Sequence, residues 1–345
     1  GDASLRSTLI TNIVGFIVNQ NYDGVDIDWE FPASETDKEN LTLFVSDLRS
    51  ALDTVNEGYL LTMAVSSGNW FGQWFDYDNL RKHCDWFNIM TYDFHGSWST
   101  HSGHNSPMIS PQDCNDGSIE TASTYLRDTR GIPSSQLVLG IPFFGKMFNS
   151  EKLYYPFTGD VKDMKYNEIS SLINLGWSRI WDNYSQVPYL LNNNNSQLIT
   201  YEDSVSVAIK TENAINDNLL GVMIWAIGQD IINGRQPLLE AVGESIRSIS
   251  LHKEHNYPKT FRLYNSYPNP FNANTTIQFR IPHVSILDLE ILDINGRLVE
   301  RLFSGKLGPG AHYFDWIPGH LSSGIYITAL RLKDQIITNK LLYIK

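Results

Sequence analysis

The sequence predicts an α/β domain followed by a small all-β domain, and three observations carry that reading. Asp23-Gly24-Val25-Asp26-Ile27-Asp28-Trp29-Glu30 alternates acidic and apolar residues at strand period, just after a stretch of helical spacing. Composition changes near residue 246. Beyond it come short β-rich runs separated by turn residues.

In residues 4–20, Leu5, Leu9, Ile13, Phe16 and Ile17 recur at roughly helical spacing and predict one amphipathic helix. In the octet, successive strand side chains alternate faces, so Asp26, Asp28 and Glu30 project together while Val25, Ile27 and Trp29 turn toward helices. Acids stacked about 6–7 Å apart cannot all ionise cheaply, because like charges at short range push their pKa values up. Such a stack is a site rather than decoration. An EF-hand is excluded, since the glycine comes second and apolar residues interleave. No His or Cys lies in the segment to complete a metal ligand set, and no metal is assigned.

The octet with Phe31-Pro32 resembles the signature of glycoside hydrolase family 18, the chitinase family. Leu60–Val65 is similar to that family's fifth barrel strand and Asp85–Gly96 to its sixth. Leu139–Gly145 is similar to the seventh and Gly221–Ala226 to the eighth, all in the family's order. The resemblance covers residues 1 to about 245 and implies a partial (β/α)₈ TIM barrel, strands four to eight, with its chemistry at the carboxyl ends of the strands. Residues 146–200 resemble a reduced form of the small α+β insertion that some members carry after strand seven.

By the same resemblance, Glu30 is the general acid and later the base, and Asp28 holds the substrate acetamide, which is itself the nucleophile. Asp26, deeper in the barrel, tunes Asp28, and Tyr92 donates to the acetamide carbonyl. Met90, Asp93, Trp98, Trp225, Phe144 and Lys146 are the implied substrate contacts, with Trp225 as the floor beneath the sugar. Many relatives carry an arginine where this chain has Lys146; lysine keeps the charge and loses the bidentate fork. No cofactor is implied. Physical logic supports the roles independently, since a general acid needs a raised pKa, which neighbouring carboxylates and an apolar wall supply. Trp70, Phe71, Trp74 and Phe75 after the fifth strand suit either sugar stacking or core.

A (β/α)₈ barrel spends about 31 residues per unit, so an octet resembling strand four leads to an expected upstream portion on the order of 90 residues. The chain is accordingly expected to be a fragment, inactive or insoluble in isolation because five strands leave two open edges. The domain expectation is a catalytic unit over 1–245, a linker over 246–260 and a β-sandwich over 261–345.

In that last part the strand runs are 275–282, 285–294, 297–303, 311–316, 324–333 and 336–344, with Asn295-Gly296 a two-residue hairpin signal. The spacing predicts a small antiparallel, immunoglobulin-like sandwich. Tyr267–Asn272, Asp293–Arg297, Gly310–Tyr313, Ser323–Tyr326 and the Lys340–Lys345 run resemble the carboxy-terminal sorting domain of type IX secretion. That resemblance implies the secretion machinery as partner and a secreted or cell-surface destination. A fibronectin-like or carbohydrate-binding module is the alternative.

The chain of 345 residues carries 38 acidic and 26 basic side chains, a net charge of −12, which disfavours nucleic-acid partners. No run of 18 apolar residues predicts a membrane span. Cys84 and Cys114 should flank strand six roughly 20 Å apart, beyond disulfide reach, as free thiols. His101 and His104 show no zinc spacing and read as solvated loop residues. The implied activity is hydrolysis of β-1,4-linked N-acetylglucosamine polymers, chitin. The alternatives are an endo-N-acetylglucosaminidase, a peptidoglycan hydrolase, or a non-catalytic chitin-binding lectin or adhesin.

Overall fold

A computed structural model describes residues 1–111, 116–173, 175–252, 261–282, 285–308, 310–332 and 335–345. The chain divides into two units, Gly1–Arg247 and Ser248–Lys345.

The first unit opens with α1 (Ala3–Gln20), capped by Asp2, whose carboxylate accepts from the Ser4 and Leu5 amides. Its buried residues are Ile10 and Ile17, whereas Leu5, Leu9 and Phe16 of the expected apolar face are exposed. The reason is its neighbour: α1 packs on α2 (Glu35–Val55), which buries Leu41, Val45, Leu48 and Leu52 at helical spacing. Between them runs β1 (Gly24–Ile27), followed by β2 (Leu60–Ser66), α3 (Asn69–Gly72), α4 (Tyr77–Leu80) and β3 (Trp86–Met90). Next come α5 (Ile119–Thr124), continued by a π-turn over Tyr125–Thr129, and β4 (Leu137–Pro142).

An antiparallel layer follows, formed by β5 (Phe144–Asn149), β6 (Thr158–Lys165), α6 (Tyr166–Leu172), β7 (Trp177–Asp182), β8 (Val187–Asn192) and β9 (Leu198–Thr200). Its sheet order is β6-β5-β9-β8-β7, an α+β insertion where the sequence places one. Then α7 (Ser204–Asn216), β10 (Gly221–Trp225) and α8 (Pro237–His252) complete the unit.

The parallel sheet has the order β1-β2-β3-β4-β10. Its register pairs Asp26 with Thr62, Ala64 with Asn88, Asn88 with Val138, and Pro142 with Trp225. Residues aligned in a parallel ladder face the same way, so Asp26, Thr62, Asn88, Met90, Gly140, Met223 and Trp225 share one face. The opposite face buries Leu61, Met63, Phe87, Ile89, Leu139 and Ile141. Among the described residues no helix is long and apolar enough to cross a membrane.

Several expectations need correction. The octet is strand only through Ile27: Asp28, Trp29 and Glu30 carry the alternation past the end of the ladder, and Trp29 is exposed. Period alone does not reveal where a strand leaves its partner: β2 continues to Ser66, while its pairing with β1 ends at Ile27 and Met63. Of the aromatics left open between stacking and core, Phe75 is core, at 1% exposure, whereas Trp70 is 81% exposed. Residues 246–252, expected as linker, continue α8, and 253–260 lie outside the described residues. Cys84 is, as expected, a free thiol; it is buried, and burial, then Asp85, pushes it up to about 12, while Cys114 lies outside the described residues.

The second unit comprises β11 (Arg262–Leu263), β12 (Thr275–Ile281), β13 (Ser285–Leu292), β14 (Leu298–Leu307), β15 (Gly310–Trp316), β16 (Gly324–Leu332) and β17 (Gln335–Tyr343). They form antiparallel sheets of order β11-β12-β15 and β14-β13-β16-β17. One core joins them, with Ile277, Phe279 and Trp316 from the first sheet against Leu289, Ile291, Leu330 and Leu341 from the second. The 293–297 hairpin is longer than the expected two-residue turn. The Gly296 amide donates to the Asp293 carbonyl, and Gly296 takes φ 77°, the left-handed position of a bulged loop.

Candidate active site

Asp26 anchors the acidic row from below. One of its carboxylate oxygens accepts from the Thr62 hydroxyl at 2.5 Å and the Asn88 amide at 2.9 Å. It is exposed rather than deep, because β1 is an edge of the five-stranded sheet. Asp28 and Glu30 continue upward on a segment held by Phe31, which stacks on Phe71 with centroids 4.3 Å apart. Both carboxyls are open to solvent on one side, yet crowding on the other raises them. Asp28 is pushed up by that desolvation and then by Asp26. Glu30 is pushed up by desolvation, then by Asp28 and Asp93. The acids therefore feel one another as a coupled group.

Tyr92 follows β3 and leans over β4. A side chain on Gly140 would meet the Ile89 carbonyl oxygen at 2.3 Å and the Tyr92 ring at 3.0 Å, so glycine is what lets Tyr92 settle there. Burial, then Asp93, Asp28, Glu30 and Asp26, push the Tyr92 phenol above its ordinary range. It stays protonated, a donor surrounded by acceptors. Phe144 meets its ring edge-on with centroids at 5.7 Å.

Lys146 is buried, with its ammonium 2.8 Å from Asp93 and 2.7 Å from Asp163. It also lies over the rings of Phe144 at 5.3 Å and Trp98 at 5.4 Å. Asp93 takes φ 59°, and its amide donates to the Asn105 side chain at 3.1 Å. Met90 ends β3, half-buried on the shared face, and Trp225 ends β10 on the same face at 53% exposure. Trp98 is 64% exposed beside Lys146.

The contacts thus bring Asp26, Asp28, Glu30, Tyr92, Asp93, Phe144, Lys146 and Trp98 together, while Met90 and Trp225 reach the same face through strand register. The sequence reading missed Thr62, Asn88, Asn105 and Asp163. Asn105 ties Asp93 to the Phe144 carbonyl, which it meets at 3.2 Å, and Asp163 arrives from β6; neither spacing nor a local motif marks them. It also misplaced His104, which is only 1% exposed. His104 bonds Asp182 at 2.9 Å, tying the loop after β3 to the insertion.

Residues 1–230 match the family described as glycosyl hydrolases family 18. The chain belongs to that family. As a family 18 chain it is 30% identical over 319 residues to "Probable chitinase 2" of Drosophila melanogaster, covering 82% of this chain and 65% of that protein. It is 31% identical over 265 residues to "Chitinase A1" of Niallia circulans, covering 66% and 38%. It therefore spans less than two thirds of these relatives. Among solved structures, the Ostrinia furnacalis Group IV chitinase in complex with allosamidin superposes with TM-score 0.67 at 27% identity, covering 72% of this chain and 74% of that one. Human YKL-39, described as a pseudo-chitinase with retained chitooligosaccharide binding, superposes with TM-score 0.67 at 29% identity, covering 71% and 75%. The fold of the first unit is the TIM-barrel-like α/β fold of the family 18 chitinases. Residues 265–345 match the secretion system C-terminal sorting domain.

Proposed function

We propose that this site hydrolyses β-1,4-linked N-acetylglucosamine polymers, chitin, by a substrate-assisted retaining mechanism. The observation that carries the reading is the acid row itself, in which Asp26 is bonded to two strand side chains and Asp28 and Glu30 are both raised. The upward push on Glu30 favours the protonated form, whose proton goes to the glycosidic oxygen as the bond to the anomeric carbon breaks. The acetamide carbonyl oxygen bonds that carbon from the opposite face, and Asp28 accepts from the acetamide N–H and balances the oxazolinium charge. The protonated Tyr92 donates to the same carbonyl and aligns it. Glu30, now a carboxylate, takes a proton from water, which opens the oxazolinium with retention. Trp225 offers an indole face to the distorted ring, and Trp98, Phe144, Met90, Asp93 and Lys146 shape the neighbouring subsites.

Glu30→Gln, in the protein as its gene encodes it, should abolish release of reducing ends from chitin oligomers while oligomer binding stays within a few-fold. Equal turnover in that variant would overturn the assignment. Release from glycoproteins or cell walls instead of chitin would move the substrate class. Binding without turnover by the unaltered protein would favour a lectin.

We take 1–245 as the catalytic unit, its parallel strands standing for strands four to eight of the family barrel, and 261–345 as an immunoglobulin-like sorting module. That module would direct the protein through the type IX machinery to the cell surface or medium. Deleting residues 261–345 should leave the protein in the periplasm, and normal export of the deletion would refute the role.

A further inference from the structure

We propose that His95, His101 and Asp116 form a binding site for a divalent transition metal of the zinc class. The argument begins with protons. The His95 Nδ1 lies 2.9 Å from the His104 carbonyl oxygen, and the His101 Nδ1 lies 3.0 Å from the Ser102 carbonyl oxygen. A carbonyl only accepts, so both Nδ1 atoms carry hydrogen, and in the neutral rings both Nε2 atoms are left as lone pairs. Both lie near one carboxylate oxygen, Asp116 Oδ2, which the His95 Nε2 meets at hydrogen-bond distance, 2.8 Å, and from which the His101 Nε2 stands 3.7 Å away.

Lone pairs facing an anion need a cation between them. One extra proton serves the line from His95 to Asp116 and leaves His101 unmatched; one metal ion serves all three. The three ligand atoms lie within 4.8 Å of one another, and ligands about 2.1 Å from a tetrahedral ion stand about 3.4 Å apart.

The surroundings are those of a built site. Anchoring the far nitrogen of a ligating histidine on a carbonyl fixes its tautomer and ring orientation, and here both rings have that anchor. His95 is buried, and a side chain on Gly103 would strike its ring at 2.4 Å, so the backbone makes room for it. Tyr154 walls the cluster, its ring 6.0 Å from His95 and 6.2 Å from His101. The half-buried His101 and Asp116 leave a side open to an entering ion and its remaining water ligands. A bound ion would tie His95 and His101, on either side of Trp98, to residue 116.

Calorimetric titration of the metal-stripped full chain with Zn2+ tests the site, alongside His101→Ala and Asp116→Asn, neither of which opens the core. The expected result is one saturable site per chain, weakened more than tenfold in each variant, together with a zinc-dependent rise in Tm that both variants lose. Co2+ in place of zinc should give visible absorption bands of a tetrahedral ion only in the unaltered chain. No saturable binding, or binding retained within twofold by either variant, overturns the proposal.

Discussion

The ammonium of Lys146 sits 2.8 Å from the carboxylate of Asp93, the side chain whose charge also reaches Glu30. Lysine thus holds in check one of the charges that raise the proposed acid. Removing either partner should move Glu30, in opposite directions. Asp93→Asn deletes a negative charge that favours the protonated form, so the Glu30 pKa falls and the alkaline limb of kcat/KM shifts to lower pH. Lys146→Met leaves Asp93 uncompensated, so the limb shifts to higher pH. The pH profiles of the two variants check this. Shifts of the same sign would disconnect Asp93 from the acid.

Tyr92→Phe removes the proposed donor to the acetamide carbonyl and leaves the ring against Phe144. It should lower kcat on the order of a hundredfold with a small change in KM, because the lost hydrogen bond strengthens as charge develops. Steady-state kinetics on chitin oligomers measures the split.

Gly140→Ala puts a methyl group 2.3 Å from the Ile89 carbonyl oxygen, and backbone cannot swing aside as a side chain can. The expected cost is about 2–3 kcal/mol, with Tyr92 displaced. Denaturant unfolding followed by circular dichroism gives the stability change.

Trp316 is fully buried in the second unit, packs on Phe271 and Tyr326, and donates to Glu300 at 2.9 Å. Trp316→Ala should cost about 3–5 kcal/mol, Trp316→Phe distinctly less. Thermal unfolding of the full chain compares them.

Glu290 accepts from Arg301 at 2.8 Å and Arg331 at 2.6 Å, and the Arg301 hydrogen bond leads the causes that hold its carboxyl below the ordinary glutamate range. Its folded pKa is depressed, so its contribution is present above the unfolded value of 4.5 and is lost as pH falls through the folded one. Both arginines are partly solvated, so the contribution is about 1 kcal/mol. Glu290→Gln should lower stability by that amount at pH 7 and flatten its acid dependence, measured by urea unfolding at several pH values.

Much of this was legible in the chain because local pattern and long-range structure agree. Leu60–Val65 and Gly221–Ala226 are short apolar runs that form parallel strands, the first buried on both faces and the second half-buried at the edge of the sheet. The acid row was readable from a spacing of two. What escaped depends on partners far apart in sequence. Asp163 meets Lys146 only because β6 pairs with β5, and His95, His101 and Asp116 converge only after the loop beyond β3 folds back. The end of β1 escaped for a related reason: alternation persists in Asp28 and Glu30, while pairing depends on β2.

The left-handed backbone at Asp93, φ 59°, limits what can replace it. Asparagine and glycine adopt that conformation readily; β-branched residues do not. Random mutagenesis at this codon will therefore be filtered first by main-chain geometry, and its best-tolerated products will be uncharged. Drift at position 93 runs downhill toward neutrality, leaving Lys146 to rely on Asp163 alone.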